Sequence, residues 1–587
     1  MNRPTHRRFN LIPKLVGLLL LTSLIAGCAQ GIETQETTPN PAIENTLTPT
    51  RTPPPTAAPS LSPTPIPTIA ATESDETEKV DAGLFVLAMG DEKYRHLFAY
   101  HPVYLELTRL TAGEWDYDDP AVSPDGSKIA YCANESGKWE VYILDLSTAK
   151  QVQISRADSY ACAPTWSPDG LWLSYEMMHN GKLTILLQSA VDPTAPPLFL
   201  TDNHRNNFDP SWSPGGREIA FVSETNARLE IWRADLNAVE DRLSLLVASS
   251  EANYYSPNWS SDGSMLIYTR ATDHPQIERT DGSTDNLQTF QLGPGSSPFR
   301  ASNKNGVVAI LRTPNGYEIV TYRNDPTRLL FPAIHMPDYV SAVTWQSGNF
   351  VSNLMSYLAK VNLTVPEALL QAENLNLDAT SGLVDQVYIA NLNAPQPYLA
   401  DSVNDRFTLM REQLNLELGW DFLAILQSAF NPLPSDTQAD IKDDWSYTGR
   451  AIAVNLDPLD AGWMTVSRED YNGRTYWRVW LKCQAQDGTC GAPIKEPVWD
   501  FNARYTNPSG SYENGGDTGS IPEGYWVDFT AFALRYGWQR MPSQSNWRSY
   551  FPATNFERFV LTDGLTWQQA MQQVYPTEQL EVFFDEN

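Results

Sequence analysis

Thr165-Trp166-Ser167-Pro168-Asp169-Gly170 decides the fold, because the same phrase returns along the chain. It recurs as Ala121-Val122-Ser123-Pro124-Asp125-Gly126, Ser211-Trp212-Ser213-Pro214-Gly215-Gly216 and Asn258-Trp259-Ser260-Ser261-Asp262-Gly263, with a worn copy at Ala301-Ser302-Asn303-Lys304-Asn305-Gly306. A spacing of roughly 45 residues marks one supersecondary unit repeated, as in a solenoid or a propeller. In each copy proline fixes φ at the second turn position and glycine accommodates the exit. Short β runs follow, such as Ile129-Ala130-Tyr131, Leu173-Ser174-Tyr175, Ile219-Ala220-Phe221 and Leu266-Ile267-Tyr268. Several short strands per repeat make a propeller blade.

The Trp-Ser-Pro-Asp-Gly turns followed by short β runs resemble the blades of the TolB-type (WD40-like) β-propeller. Leu84-Phe85-Val86-Leu87, His96 to Tyr100 and Leu105 to Thr108 look like a blade lacking its first strand, and Val340 to Trp345 resembles the missing one. Pairing these two regions closes a ring of six blades over residues 81–347 and removes the exposed sheet edges. Trp166, Trp212 and Trp259 share one repeat position and are read as blade core. His96, His101, His179, His204, His274 and His335 show no triad or metal-ligand spacing, and Glu114 to Asp119 is read as a solvated loop between blades.

Upstream, a basic segment (Arg3, Arg7, Arg8, Lys14) and an apolar stretch precede Leu24-Ile25-Ala26-Gly27-Cys28. The apolar run is too short and too interrupted to span a bilayer comfortably, which points to a cleaved signal peptide, residues 1–27. The pattern resembles the bacterial lipobox. That resemblance implies a lipidated Cys28 and an extracytoplasmic protein anchored to the cell membrane, each buried acyl methylene contributing about 0.8 kcal/mol. Residues 28–80 are Thr/Pro-rich and cannot build a core, so a disordered tether is expected, able to reach on the order of 100 Å. The net charge of −29 excludes nucleic acid and anionic membrane surfaces as natural partners.

Five cysteines minus Cys28 leave an even number, which suggests disulfides in an oxidising compartment. Cys483 and Cys490 flank Asp487-Gly488, a hairpin-turn signal, so their thiols are expected to face each other across paired strands. Cys132 and Cys162 lie in adjacent repeats and are the other candidate pair. No metal site and no cofactor is expected.

Residues 348–400 read as a helical connector, with a helix over 352–361. Residues 401–587 form an aromatic-rich α+β domain. There Asp401 to Leu418 places Val403, Phe407, Met410, Leu414 and Leu418 at helical spacing. The run Thr475 to Leu481 is a strong strand, preceded by an Asn472-Gly473 turn. Gln427 to Asn431 and Asp444 to Ala453 resemble two motifs of the zinc D-Ala-D-Ala carboxypeptidases. On that resemblance the zinc histidine falls on Ser446, the zinc aspartate on Ala453 and the substrate arginine on Asn431. The second zinc histidine would fall near Asn555 to Phe559, which holds none. No histidine follows His335, so neither an imidazole-ligated zinc nor a Ser-His-Asp triad is assembled within this region.

Three readings remain. The first is a non-enzymatic envelope lipoprotein, a pseudoenzyme whose propeller binds envelope proteins and whose C-terminal domain takes peptidoglycan or another glycan. Tyr447, Tyr512, Tyr525 and Trp526 are its candidate groove residues, and no catalytic residue is assigned. The second is a hydrolase working through carboxylates drawn from Asp443, Asp444, Glu469, Asp470, Asp500, Glu523 and Asp528. The third is a structural partner in a Tol-like envelope assembly.

Overall fold

Ser123 shows how each repeat makes its turn. Its hydroxyl donates to Asp125 Oδ1 (2.6 Å) and accepts the Lys128 N–H (2.9 Å), while Gly126 takes φ 71°. The same arrangement returns at Ser167/Asp169/Trp172 and at Ser260/Asp262/Met265. Where Gly215 replaces the aspartate, Ser213 still accepts the Glu218 N–H. The hydrogen bonds that shape the first hairpin turn of the blade therefore all lie within about six residues of sequence and need no tertiary partner.

The computed structural model describes residues 83–91, 93–102, 105–260, 262–271, 275–281, 288–300, 306–314, 316–323, 333–361, 383–435, 442–506 and 508–584. The expected signal peptide, Cys28 and the tether lie outside the described residues, as does most of the worn repeat. Among the described residues, no helix is long and apolar enough to cross a membrane.

Six four-stranded antiparallel sheets follow one another along the chain. Their first strands are Val340–Gln346, Tyr117–Val122, Ala161–Trp166, Asn207–Trp212, Asn253–Trp259 and Ser296–Arg300, for blades 1 to 6. Blade 1 closes as the sequence suggested: Val340–Gln346 pairs with Leu84–Asp91, setting Phe85 opposite Trp345 and Leu87 opposite Val343. Trp345, Trp166 and Trp259 are buried between blades, and Trp166 Nε1 donates to the Ala121 carbonyl of the preceding blade (3.0 Å). Each such side chain contributes about 1.5–3 kcal/mol by leaving water.

Five first strands carry a β-bulge at a residue followed by proline: Asp119, Ala163, Asp209, Ser256 and Ser297, with φ of 45°, 52°, 50°, 48° and 48°. A bulge opposes two residues to one, bends the strand and re-aims a side chain. Blade 1 has its register shift beside Ser341.

A helix, Asn349–Leu358, follows the ring and buries Phe350, Leu354 and Tyr357 against blades 1 and 2. It starts three residues earlier than the sequence suggested. The connector also holds a two-stranded ribbon, Gln386–Tyr388 with Tyr398–Ala400. The next helix spans Asp401–Leu418 and buries the five apolar residues named above. It packs with two antiparallel sheets. One has the order Leu426–Ser428, Ala451–Val454, Arg558–Val560, Gln539–Arg540, and the other joins Met464–Tyr471, Arg474–Lys482 and Trp526–Asp528. Propeller and C-terminal region belong to one compact unit and share a hydrophobic cluster that runs from Trp139, Tyr160 and Phe208 to Trp477 and Trp526.

Both candidate disulfides are present, Cys132–Cys162 (Cα–Cα 5.1 Å) and Cys483–Cys490 (6.0 Å). The first joins blades 2 and 3. The second does not sit on paired strands: the residues between Cys483 and Cys490 form a loop that lies against blade 3 rather than a hairpin. Gly488 takes φ 86°, and a Cβ there would overlap the Ser159 carbonyl. Gly488→Ala is expected to cost about 1–3 kcal/mol from backbone strain alone. A lower urea midpoint and faster proteolysis within residues 484–491 are the readouts; unchanged values would show that the loop does not need the glycine.

Candidate functional site

The C-terminal region covers the propeller mouth on which the bulge residues lie, enclosing a cavity of about 600 Å³. The size falls within the range of small-molecule sites, which favour interfaces between domains. Asp119, Asp209, Ser256 and Ser297 line it from the propeller, together with Arg95, Tyr255 and Arg312. Arg468 to Asn472, Tyr476, Trp480, Lys495, Trp526 and Arg540 line it from the C-terminal region.

Lys495 is central to the assembly. Its loop leaves the Cys483–Cys490 disulfide, and Trp139 Nε1 of blade 2 donates to the Gly491 carbonyl (3.0 Å). Lys495 Nζ then lies 2.6 Å from Glu176 and 3.1 Å from Asp209, with Asp119 at 4.0 Å. Glu176 is fully buried, and it also accepts the Tyr160 hydroxyl (3.0 Å) and the Asp209 N–H (2.9 Å). Burial works against the Lys495 charge, but Asp209, Glu176 and Asp119 more than reverse it and hold the ammonium well above its ordinary value. Burial and the adjacent Asp118 push the Asp119 carboxyl up.

A second network crosses the same interface. Arg478 donates to Glu469 (3.0 Å), Asp528 (2.6 Å) and the Tyr317 hydroxyl of blade 6 (3.2 Å). Glu469 also meets Arg540 and, at 3.6 Å, Arg312. Burial alone would raise the Glu469 carboxyl; Arg540, Arg478 and Arg312 hold it well below the usual carboxylate range. Asp528 also caps the helix Phe529–Arg535 through the Ala531 N–H (3.0 Å).

In residues 114–119, read from sequence as a solvated loop, Glu114 is exposed, but Asp116, Asp118 and Asp119 are ion-paired and the last three residues begin the strand Tyr117–Val122. Arg95 meets Asp118 (2.6 Å) and takes Asp116 through its N–H (2.7 Å), while Asp119 faces Lys495. The reading failed because the partners are distant in sequence. His96 is likewise buried, beside Arg109 and Thr111, and burial followed by Arg109 pushes it down to about 3.

Glu417 lines the cavity near Asp116 but keeps much of its side chain in solvent.

The four expected groove residues separate. Trp526 is buried in the cavity wall, with its neighbour Tyr525 also buried. Tyr447 packs against the cluster of Trp567 and Met571, and Tyr512 is exposed on the short helix Pro508–Asn514. Of the carboxylates, Glu469, Asp470 and Asp528 line the cavity. Asp443 and Asp444 line a separate pocket of about 30 Å³, Glu523 pairs with Lys182 (2.7 Å), and Asp500 is exposed. That small pocket also gathers Ser428, Ser446, Ala453 and Arg558. Asn431 donates to Ser446 Oγ (2.8 Å), and Ala453 pairs across the sheet with Arg558.

Sequence reasoning did not single out Lys495, Glu176, Asp209 or the arginines. One usable signal was present: an Asp, Ser or Ala before proline recurs three residues ahead of the Trp position of the repeat.

A family profile described as the TolB beta propeller domain matches residues 111–320. The chain is 27% identical over 158 residues to an uncharacterized protein of Agrobacterium fabrum, covering 25% of this chain and 53% of that one. It is 28% identical over 179 residues to the Tol-Pal system protein TolB of Francisella tularensis subsp. mediasiatica, covering 30% of this chain and 39% of that one. Among solved structures, TolB from Acinetobacter baumannii aligns at 19% identity and a TM-score of 0.40, covering 45% of this chain and 66% of that one. The chain thus spans between two fifths and about half of the length of these two curated relatives. The six blades, the Ser-Pro-Asp-Gly turns of blades 2 and 3 with their variants in blades 4 and 5, and the matched profile together make the ring a TolB-like β-propeller.

Proposed function

We propose that this chain is an extracytoplasmic binding protein, held to the membrane through a lipidated Cys28, that performs no catalysis. Its propeller is a rigid scaffold for envelope proteins, and its C-terminal domain takes a cell-wall or glycan ligand. The observation that carries this reading is the cavity of about 600 Å³ between propeller and C-terminal region, walled by charges that already have partners. A carboxylate-based glycosidase needs one protonated acid beside an ionised partner. Glu469, committed to three guanidinium groups, is held ionised and is unsuited to the acid role. The convergence of Ser446, Ala453 and Arg558 on one small pocket, with Asn431 bonded to Ser446 beside it, supports descent of this domain from a hydrolase-like fold whose metal-ligand positions have been replaced.

The test uses a soluble chain of residues 81–587 with purified peptidoglycan, followed by co-sedimentation and mass spectrometry of the supernatant. Binding without released fragments is the expected result. Release of fragments would overturn the non-catalytic assignment, and failure to sediment would overturn the wall ligand. A second reading, partnership in a Tol-like envelope assembly, is favoured by the relative named as a Tol-Pal system protein. It predicts that the same soluble chain captures a defined envelope protein and ignores peptidoglycan.

A further inference from the structure

We propose that the cavity between propeller and C-terminal region is a binding site for a short neutral saccharide; this deepens the glycan-ligand assignment above and rests on it. Size is the first reason, since the cavity of about 600 Å³ suits a ligand of a few rings.

Charge is the second. An ionic ligand needs an uncommitted countercharge, and the principal cations on these walls are already engaged. Lys495 is held by Glu176 and Asp209, Arg95 by Asp118, Arg312 by Glu496 (3.5 Å) and Glu469 (3.6 Å), and Arg468 by Asp470 (2.6 Å). Acidic groups outnumber basic ones along the walls, but this excess is softened, because Asp119 lies 4.0 Å from the Lys495 ammonium and its carboxyl is pushed up. Such paired groups keep spare lone pairs and N–H donors in fixed directions. They can bond hydroxyls without gaining or losing a charge, which a neutral polyol requires and an ion does not exploit.

Surface chemistry is the third reason. Tyr471, Trp480 and Tyr255 bring aromatic rings to the walls, and the faces of sugar rings present C–H groups that pack on such surfaces. Trp480 is held in place by its Nε1 donating to Ser467 Oγ (3.0 Å). Asn472, at the turn after Tyr471, adds an amide that both donates and accepts.

The probe is N,N′,N″-triacetylchitotriose, titrated calorimetrically into residues 81–587. Saturable binding is expected, with an affinity that does not change between low and high salt. Tyr471→Ala and Asn472→Ala are each expected to weaken it by about tenfold, with the thermal unfolding midpoint retained. Absence of binding at millimolar probe would overturn the proposal. So would binding that both variants leave intact, or tighter binding of a charged muramyl peptide that weakens with salt. If peptidoglycan still sediments with the protein while the trisaccharide fails, the wall-binding assignment survives and the cavity assignment falls. If neither binds, both fall.

Discussion

Lys495→Met is expected to destabilise the protein by on the order of 3–5 kcal/mol at neutral pH, the cost of breaking a buried ion pair by removing one partner. Glu176 has no exposed surface, and without the ammonium it would share its site with Asp209 and Asp119, three carboxyl groups with no cation among them. Burial already raises the Glu176 carboxyl, and in the variant it can relieve the cost only by binding a proton. The sign follows: a carboxyl raised in the folded state is fully accommodated below the ordinary glutamate range and penalised as pH rises. The loss should thus be small near pH 4 and grow toward about pH 8. Urea midpoints across pH measure the loss, and hydrogen exchange at residues 491–497 and around Trp139 shows whether the C-terminal region loosens from the propeller. A loss independent of pH, or no loss, would contradict the role given to this lysine. Lys182→Ala is the natural comparison: its pair with Glu523 is solvent-exposed on the acid's side, and such pairs are worth at most about 1 kcal/mol.

Arg478 carries the second large effect. Its side chain is 2% exposed and joins Glu469, Asp528 and Tyr317, so it ties the sheet of the C-terminal domain to blade 6. Arg478→Met leaves Asp528 without its guanidinium and removes one of three cations from Glu469, and a loss of about 3 kcal/mol or more is expected. Arg478→Lys should recover little of it. A lysine offers one point charge where the planar fork reaches three partners. The unfolding midpoints of both variants, compared with Arg312→Ala, which removes a more exposed partner of the same Glu469, separate a structural keystone from a peripheral contact. If lysine restores the midpoint, the fork geometry is not what matters.

The sequence was most informative where the physics is local. Ser-Pro-Asp-Gly announces its turn because serine, aspartate and glycine complete their bonds within six residues, and its return roughly every 45 residues made the blades countable. The helix Asp401–Leu418 was legible for a related reason: five apolar residues at helical spacing must share one face. Even the closing strand Val340–Gln346 could be found, since the first blade lacked a strand and an exposed edge is unfavourable.

Only the tertiary structure revealed the cavity. Lys495 and Asp209 stand 286 residues apart, and nothing local to either predicts their meeting. The prolines after Asp119, Asp209, Ser256 and Ser297 were visible in the repeat, yet that their bulges converge on one mouth follows from closure of the ring. Charges at 114–119 looked solvated because a carboxylate in sequence carries no sign of its partner. Local turns and periodicities are set by near neighbours, whereas a cavity between domains is set by which distant surfaces are buried together; this chain determined its blades by itself and left the cavity to the docking of its two halves.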